Sequence, residues 1–299
     1  MRTLGALGVH CACALTAVTA QDTAKVSAVL PVPAAILDSQ IELALGDFSI
    51  LATKVGMLAT EDNVMRVADR ARSGDIPKVI VDPVIASSSS NSLIDEKGIR
   101  AYREHLLPAA LVVTPNIPEA EILTGMAVKD GEGMARAGSL LVDMGAAVAV
   151  VKGGHAGGSN SMDVVVCSAS YDIRIAIDAL VQDGRPVEPD ETTPLSHATG
   201  QSPEGVVSQS STSLHITTIM QSDRPEIVLV APRVHTRNTR GTGCTLSSAI
   251  AAYMARGDTV VDAIIKAKQF VTRAIVGASG WTLGRGNGPI DQLGWNERS

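Results

Sequence analysis

The sequence predicts an α/β fold: a mostly parallel sheet with helices on both faces, three layers in all. Three observations predict it. Short apolar runs alternate with helical patterns over most of the 299 residues, the spacing of strand–helix units joined by right-handed crossovers. Hydrophobic residues make up 45% of the chain and aromatics only 2%. The core must therefore be built from Val, Ile, Leu and Ala, which suits strands buried on both faces. Polar residues and glycines also fall at the same end of successive runs, where open parallel sheets bind ligands.

In chain order, CACALTAVTAQ (11–21) reads as a buried strand. AAILDSQIELALGD (34–47) reads as an amphipathic helix, followed by SILATKVGML (49–58). TEDNVMRVADRARSG (60–74) is a helix with Thr60 as N-cap and two acids in its first turn. Strand KVIVDP (78–83), helix IDEKGIRAYREHLLPA (94–109), strand ALVVTPN (110–116) and helix IPEAEILTG (117–125) follow. A helix near 132–144 leads into strand AAVAVVKGG (146–154). Residues 178–223 are rich in Ser, Thr, Pro, Asp and Gln and sustain no period. They read as one long insertion, largely disordered, within a single domain spanning 1–299. Strand PEIVLVAPRV (225–234) resumes the pattern. The last helix is TVVDAIIKAKQFVTRAIVGAS (259–279), and a Gly-rich stretch, GWTLGRGNGPI, follows it.

The net charge of −6 and the lack of a basic run exclude a dedicated nucleic-acid binder. Cys11, Cys13, Cys167 and Cys244 show no CxxC spacing, which argues against zinc and against a disulfide framework. Reduced thiols suit a cytoplasmic setting. The first twenty-odd residues resemble a signal peptide on pattern, with Arg2, an apolar stretch and Ala20. His10, Gly5 and Gly8 speak against that reading. No other segment approaches the ~18 apolar residues of a membrane span.

The most specific stretch is NTRGTGCTLSSAIAAYMARG (238–257). Gly241, Thr242 and Gly243 give a tight turn before an apolar helix, and Cys244 opens that helix. A helix N-terminus with close-approaching backbone N–H groups is an anion site. Cys244 is either a small packed hydrophobe or a thiol whose pKa the helix lowers. Asp82, Asn116, Glu119 and Lys152 fall at neighbouring strand ends. Oxygen ligands for Mg²⁺, from Asp82 and Glu119, and a lysine for phosphate are the parts that phosphoryl transfer requires. Neither a Walker A motif nor a G-x-S-x-G elbow is present.

These motifs, with GALGVHCACALTAVTAQDT, KVGML, VIVDPV, VVKGGH and GRGNGPI, run in one order along the chain. In that order the chain resembles the hydroxymethylpyrimidine/phosphomethylpyrimidine kinases of the ribokinase-like superfamily. The resemblance implies ATP-dependent phosphorylation of 4-amino-5-hydroxymethyl-2-methylpyrimidine and then of its monophosphate, in thiamine synthesis. It implies Cys244 at the attacked hydroxyl and Gly241, Thr242 and Gly243 as the anion hole. Gln21 would hydrogen-bond the pyrimidine, with Met57 and Val84 lining its ring. Asn116 and Glu119 match a Mg·ATP motif, and Lys152 a nucleotide-side lysine. A homodimer is usual in such families. The family's first strand and its Gly-rich segment have no counterpart after Met1, so the chain reads as N-terminally short, and an internal strand explains residues 11–21 better than a leader does. Pyridoxal kinase and a non-catalytic pyrimidine binder are the rival readings. An amide at Gln21, which both donates and accepts, favours the aminopyrimidine.

Overall fold

The computed structural model describes residues 1–85, 93–154, 159–168, 187–189, 214–219, 224 and 226–297. A short helix α1 (Arg2–Ala6) precedes a hairpin of β1 (Ala17–Gln21) and β2 (Val26–Pro31). Helix α2 (Ala34–Asp47), β3 (Thr53–Val55), α3 (Glu61–Arg72) and β4 (Val79–Val81) come next. Then follow α4 (Glu96–Ala101), β5 (Val112–Val113), α5 (Ile117–Thr124), α6 (Gly131–Asp143), β6 (Val148–Lys152) and β7 (Asn160–Cys167). The remaining strands are β8 (Val187–Pro189), β9 (His215–Ile219) and β10 (Glu226–Pro232), before α7 (Thr242–Ala255) and α8 (Val260–Gly277).

Among the described residues the main sheet has eight strands, in the order β3-β4-β5-β6-β7-β10-β9-β8. Strands β3 to β6 are parallel, as strand–helix alternation requires. Beyond β6 the sheet mixes: β7 pairs antiparallel with β6 and with β10, and β9 antiparallel with β10. The side-chain period of two sorts the strands into two cores. Val79 and Val81 join Val151 and Val164 beneath α3, α5 and α6. Ile80, Val150 and Val165 join Leu246, Ile250 and Ile264 beneath α7 and α8. Helices thus cover both faces.

Local chemistry sets the helix ends. Thr60 caps α3 by accepting from the Asn63 N–H, and Asp130 does the same for α6 from Gly133. Gly125 closes α5 in the left-handed region at φ 74°.

Three sequence expectations are corrected. Residues 11–21 do not form a buried strand: only 17–21 are extended, paired with β2 in a separate two-stranded sheet. With one partner in its sheet among the described residues, that hairpin leaves Val18 55% and Leu30 70% exposed. The helix expected over 94–109 changes pitch. It runs α to Ala101, widens to a π turn over 102–106 and tightens to a 3₁₀ turn over 107–109, where Pro108 cannot donate a backbone hydrogen bond. The segment 178–223 is not irregular throughout, because β8 and β9 lie inside it and β9 buries Ile216 against the β10 side of the sheet. The rest of that segment lies outside the described residues. Among the described residues, no helix is long and apolar enough to cross a membrane.

Candidate active site

Strand β4 delivers Asp82 to the carboxyl edge of the parallel half of the sheet, its N–H bonded to the Val55 carbonyl at 2.9 Å. Asp82 is 2% exposed. Its Oδ1 receives the Lys152 ammonium at 3.0 Å, and Lys54 Nζ stands 3.8 Å from Oδ2. Thr114 and Ser247 hydroxyls each approach the carboxylate at 3.4 Å. Burial opposes the charge on Asp82, but Lys152 and Lys54 outweigh it and hold its carboxyl below the usual range. Burial likewise opposes the charge on Lys152, and Asp82 and Glu119 outweigh that to raise it. Both members of the pair stay ionised.

Helix α7 begins directly above this pair. Gly241 precedes it at φ 86°, a left-handed conformation that glycine adopts without strain, and no side chain caps the end. The Thr245 N–H bonds back to Gly241 at 2.8 Å, while the N–H groups of Gly243 and Cys244 have no acceptor among the described residues. A Cβ placed on Gly243 would lie 3.0 Å from Lys152 Nζ and 3.8 Å from Asp82 Oδ1. Open N–H donors, the positive helix end and two lysines thus converge on one spot. Such an arrangement favours negative charge.

Cys244 stands at the exposed mouth of this spot. The expectation of a lowered thiol pKa is reversed. Burial among the surrounding atoms pushes it up, Lys54 pulls it down, and the charge of Asp82 pushes it up again, with a net rise. The carboxylate beneath favours the protonated thiol, an influence that no sequence pattern displays.

Asn116 and Glu119 form a complete capping box at the start of α5. The Glu119 carboxylate accepts from the Asn116 N–H at 2.8 Å, and the Asn116 amide oxygen accepts from the Glu119 N–H at 2.9 Å. Glu119 is 5% exposed. Burial pushes its carboxyl up to about 7, against the pull of Lys152 and the Asn116 N–H and with the push of Asp82. The Lys152 N–H bonds to the Pro115 carbonyl at 2.8 Å, which places the cap beside the lysine.

The residues expected on the pyrimidine side sit further out. Gln21 is exposed at the end of β1, and among the described residues no hydrogen bond joins it to the Asp82 cluster. Thr23, two residues on, accepts from the N–H groups of Arg285 and Gly286, both at 3.1 Å. Gly288 of the same stretch accepts from the Arg240 N–H at 3.0 Å. The Gly-rich stretch thereby ties the hairpin end to the loop before α7. Half-buried Met57 follows β3, its carbonyl accepting from the Thr16 hydroxyl at 2.5 Å. Half-buried Val84 lies in the turn after Asp82.

Sequence reasoning missed Lys54, Thr114, Ser247 and Tyr102. Lys54 precedes Gly56 and Met57 at the end of β3, so the strand-end rule that selected its neighbours was able to find it. Tyr102, fully buried, donates its hydroxyl to the Gly56 carbonyl at 3.2 Å. Nothing local marks it, because that contact joins residues 46 apart in sequence.

Among the described residues no cluster of three or more His, Cys, Asp or Glu is arranged to hold a metal ion. Two buried carboxylates, Asp82 and Glu119, flank Lys152. That donor set fits Mg²⁺ in its usual manner, with one or two carboxylates, retained waters and the phosphates of a nucleotide.

A family model described as phosphomethylpyrimidine kinase matches residues 1–179 and 204–291. The chain belongs to the phosphomethylpyrimidine kinase family. It is 33% identical over 291 residues to the hydroxymethylpyrimidine/phosphomethylpyrimidine kinase of Rhizobium meliloti, covering 97% of this chain and 88% of that one. The Streptomyces coelicolor kinase of the same name is also 33% identical, with 99% and 87% covered. The bifunctional thiamine biosynthesis protein ThiED of Geobacter sulfurreducens is 32% identical over 98% of this chain. The match spans 48% of that protein, about half its length. The fold is the ribokinase-like one that the resemblance implied. The phosphomethylpyrimidine kinase of Clostridium difficile superposes with a TM-score of 0.64 at 26% identity, covering 92% of this chain and 90% of that one. The pyridoxal kinase of Staphylococcus aureus, in complex with AMP-PCP and pyridoxal, gives 0.71 at 26% identity, covering 99% and 87%.

Proposed function

We propose that this chain transfers the γ-phosphoryl group of ATP to the hydroxymethyl oxygen of 4-amino-5-hydroxymethyl-2-methylpyrimidine, and then to the resulting monophosphate. The observation that carries the reading is the uncapped start of α7 above the Lys152–Asp82 pair. Membership of the phosphomethylpyrimidine kinase family supplies the substrate class. The hydroxyl oxygen attacks the γ-phosphorus, and the bond from phosphorus to the ADP oxygen breaks. The N–H groups of Gly243 and Cys244, with Lys152 and Lys54, hold the charge spread over the phosphoryl oxygens. The hydroxyl proton goes to Cys244, whose own proton passes to an oxygen of the transferred phosphoryl group, so that Asp82 stays ionised throughout. This relay suits a thiol that rests protonated over a carboxylate. Asp82 and Glu119 are the carboxylates that would hold Mg²⁺ together with the nucleotide. Bound there, the ion would neutralise phosphate charge.

Gln21, Met57 and Val84 are assigned to the pyrimidine on the strength of the family motifs. A cytoplasmic setting is consistent with the four free cysteines. We assign a homodimer on the resemblance, and light scattering of the purified chain checks it.

Pyridoxal is the second reading, because the Staphylococcus aureus pyridoxal kinase superposes so fully. Turnover of the two substrates, compared with ATP and Mg²⁺ in excess, decides between them. The pyrimidine should show the higher kcat/KM and yield a diphosphate. A higher kcat/KM on pyridoxal would reject the substrate assignment, and binding of the pyrimidine without turnover would reject the enzyme.

A further inference from the structure

A second buried ion pair lies beside the first, outside the assigned machinery. Asp163 of β7 is 4% exposed and Lys268 of α8 is 6% exposed. Lys268 Nζ stands 2.8 Å from Asp163 Oδ2 and 3.2 Å from the Ser161 hydroxyl oxygen. Asp163 Oδ1 also accepts from the Gly153 N–H at 3.1 Å. In the antiparallel ladder of β6 and β7, Asp163 is the direct partner of Lys152. Directly opposed residues point to the same face with Cβ atoms about 5 Å apart. Besides Asp82, which it binds, and Glu119, which flanks it, Lys152 therefore has a third carboxylate within reach of its long side chain: Asp163, which it does not bind.

We infer that Lys268 is a positioning residue for Lys152. By occupying Asp163, it removes the competing carboxylate and leaves Lys152 aimed at Asp82 and the start of α7. A bare carboxylate buried opposite a lysine would draw that lysine across the ladder, since an unpaired buried charge is strongly disfavoured. The ammonium would then leave the place beneath Gly243. This inference rests on the reading that Lys152 serves the nucleotide phosphates.

The two half-pair variants make the test, because they are unequal. In K268M, Asp163 is bare and captures Lys152. In D163N nothing competes for Lys152, and the asparagine still accepts from Gly153. K268M should raise the KM for ATP, and the Kd for ADP measured by calorimetry, at least about tenfold. D163N should leave both within about twofold even at an equal loss of Tm, and K268R should restore K268M. Where K268M is poorly folded, the double variant K268M/D163N carries the same test: with no bare charge it should bind ADP like the wild type. Equal losses of nucleotide affinity in K268M and D163N, or weak ADP binding by the double variant, would overturn the inference. K152M separates the two levels of the argument. If K152M leaves ATP and ADP affinity unchanged, the nucleotide reading of Lys152 fails and the inference fails with it. If K152M weakens both while K268M does not, the inference alone fails.

Discussion

The roles proposed for Cys244 and Glu119 are the easiest to separate. Cys244→Ala should lower kcat by at least about 10²-fold, the lower end for loss of a proton-transfer group, with little change in Mg·ATP affinity. Turnover at the wild-type rate would make the cysteine a packing residue. Glu119→Gln acts differently. Its carboxyl is pushed up to about 7, so the folded protein holds that proton more tightly than the unfolded chain does. Stability from this group is therefore complete below the unfolded value of about 4.5 and is lost as pH rises through about 7. The loss amounts to about 3 kcal/mol, and the glutamine variant should escape it while using Mg·ATP less well. Urea denaturation of both proteins at pH 5 and pH 8 measures the difference. An equal pH response in the two would show that Glu119 is not the titrating group. The sequence made Cys244 visible through its glycines and Glu119 through its three-residue spacing from Asn116. It hid the upward shifts, because these come first from burial and then from the charge of Asp82, and only folding buries the two groups and brings Asp82 near.

The elements were most legible where local and tertiary signals agree. Helix α3 begins at its Thr60 cap as read, and Asp82 and Lys152 close β4 and β6 where the apolar runs stop. Strand β1 was misjudged because its β-branched residues announce extension and not cover. Strand β9 was missed because its partner β10, and not its own composition, makes it a strand. The insertion test follows from that. Deleting 180–203, the internal stretch outside the family match, removes β8, the outermost strand among the described residues, and should leave nucleotide binding near wild type. Deleting all of 178–223 also removes β9 and bares the edge of β10 beside Ile227 and Leu229. That protein should lose several kcal/mol, at about 1.5–3 kcal/mol for each buried aliphatic uncovered, and should aggregate. Equal thermal melts for the two deletions would contradict the role given to β9.

Across the molecule, two cores fix the sheet from both sides, and the site forms where the parallel strands end against the start of α7. Gly243 marks that junction, and its substitution opposes local stability to function. Alanine is favoured over glycine in a helix by up to about 1 kcal/mol, so Gly243→Ala should hold or raise Tm. Its methyl group would nonetheless sit 3.0 Å from Lys152 Nζ, on the spot assigned to the phosphoryl oxygens. Displacements on the order of 1 Å in such a site cost about 10²-fold. Single-turnover phosphorylation of hydroxymethylpyrimidine by this variant should fall by about that factor with the melt unchanged. Wild-type phosphorylation by a fully folded Gly243→Ala protein would show that the phosphoryl group does not transfer at the start of α7.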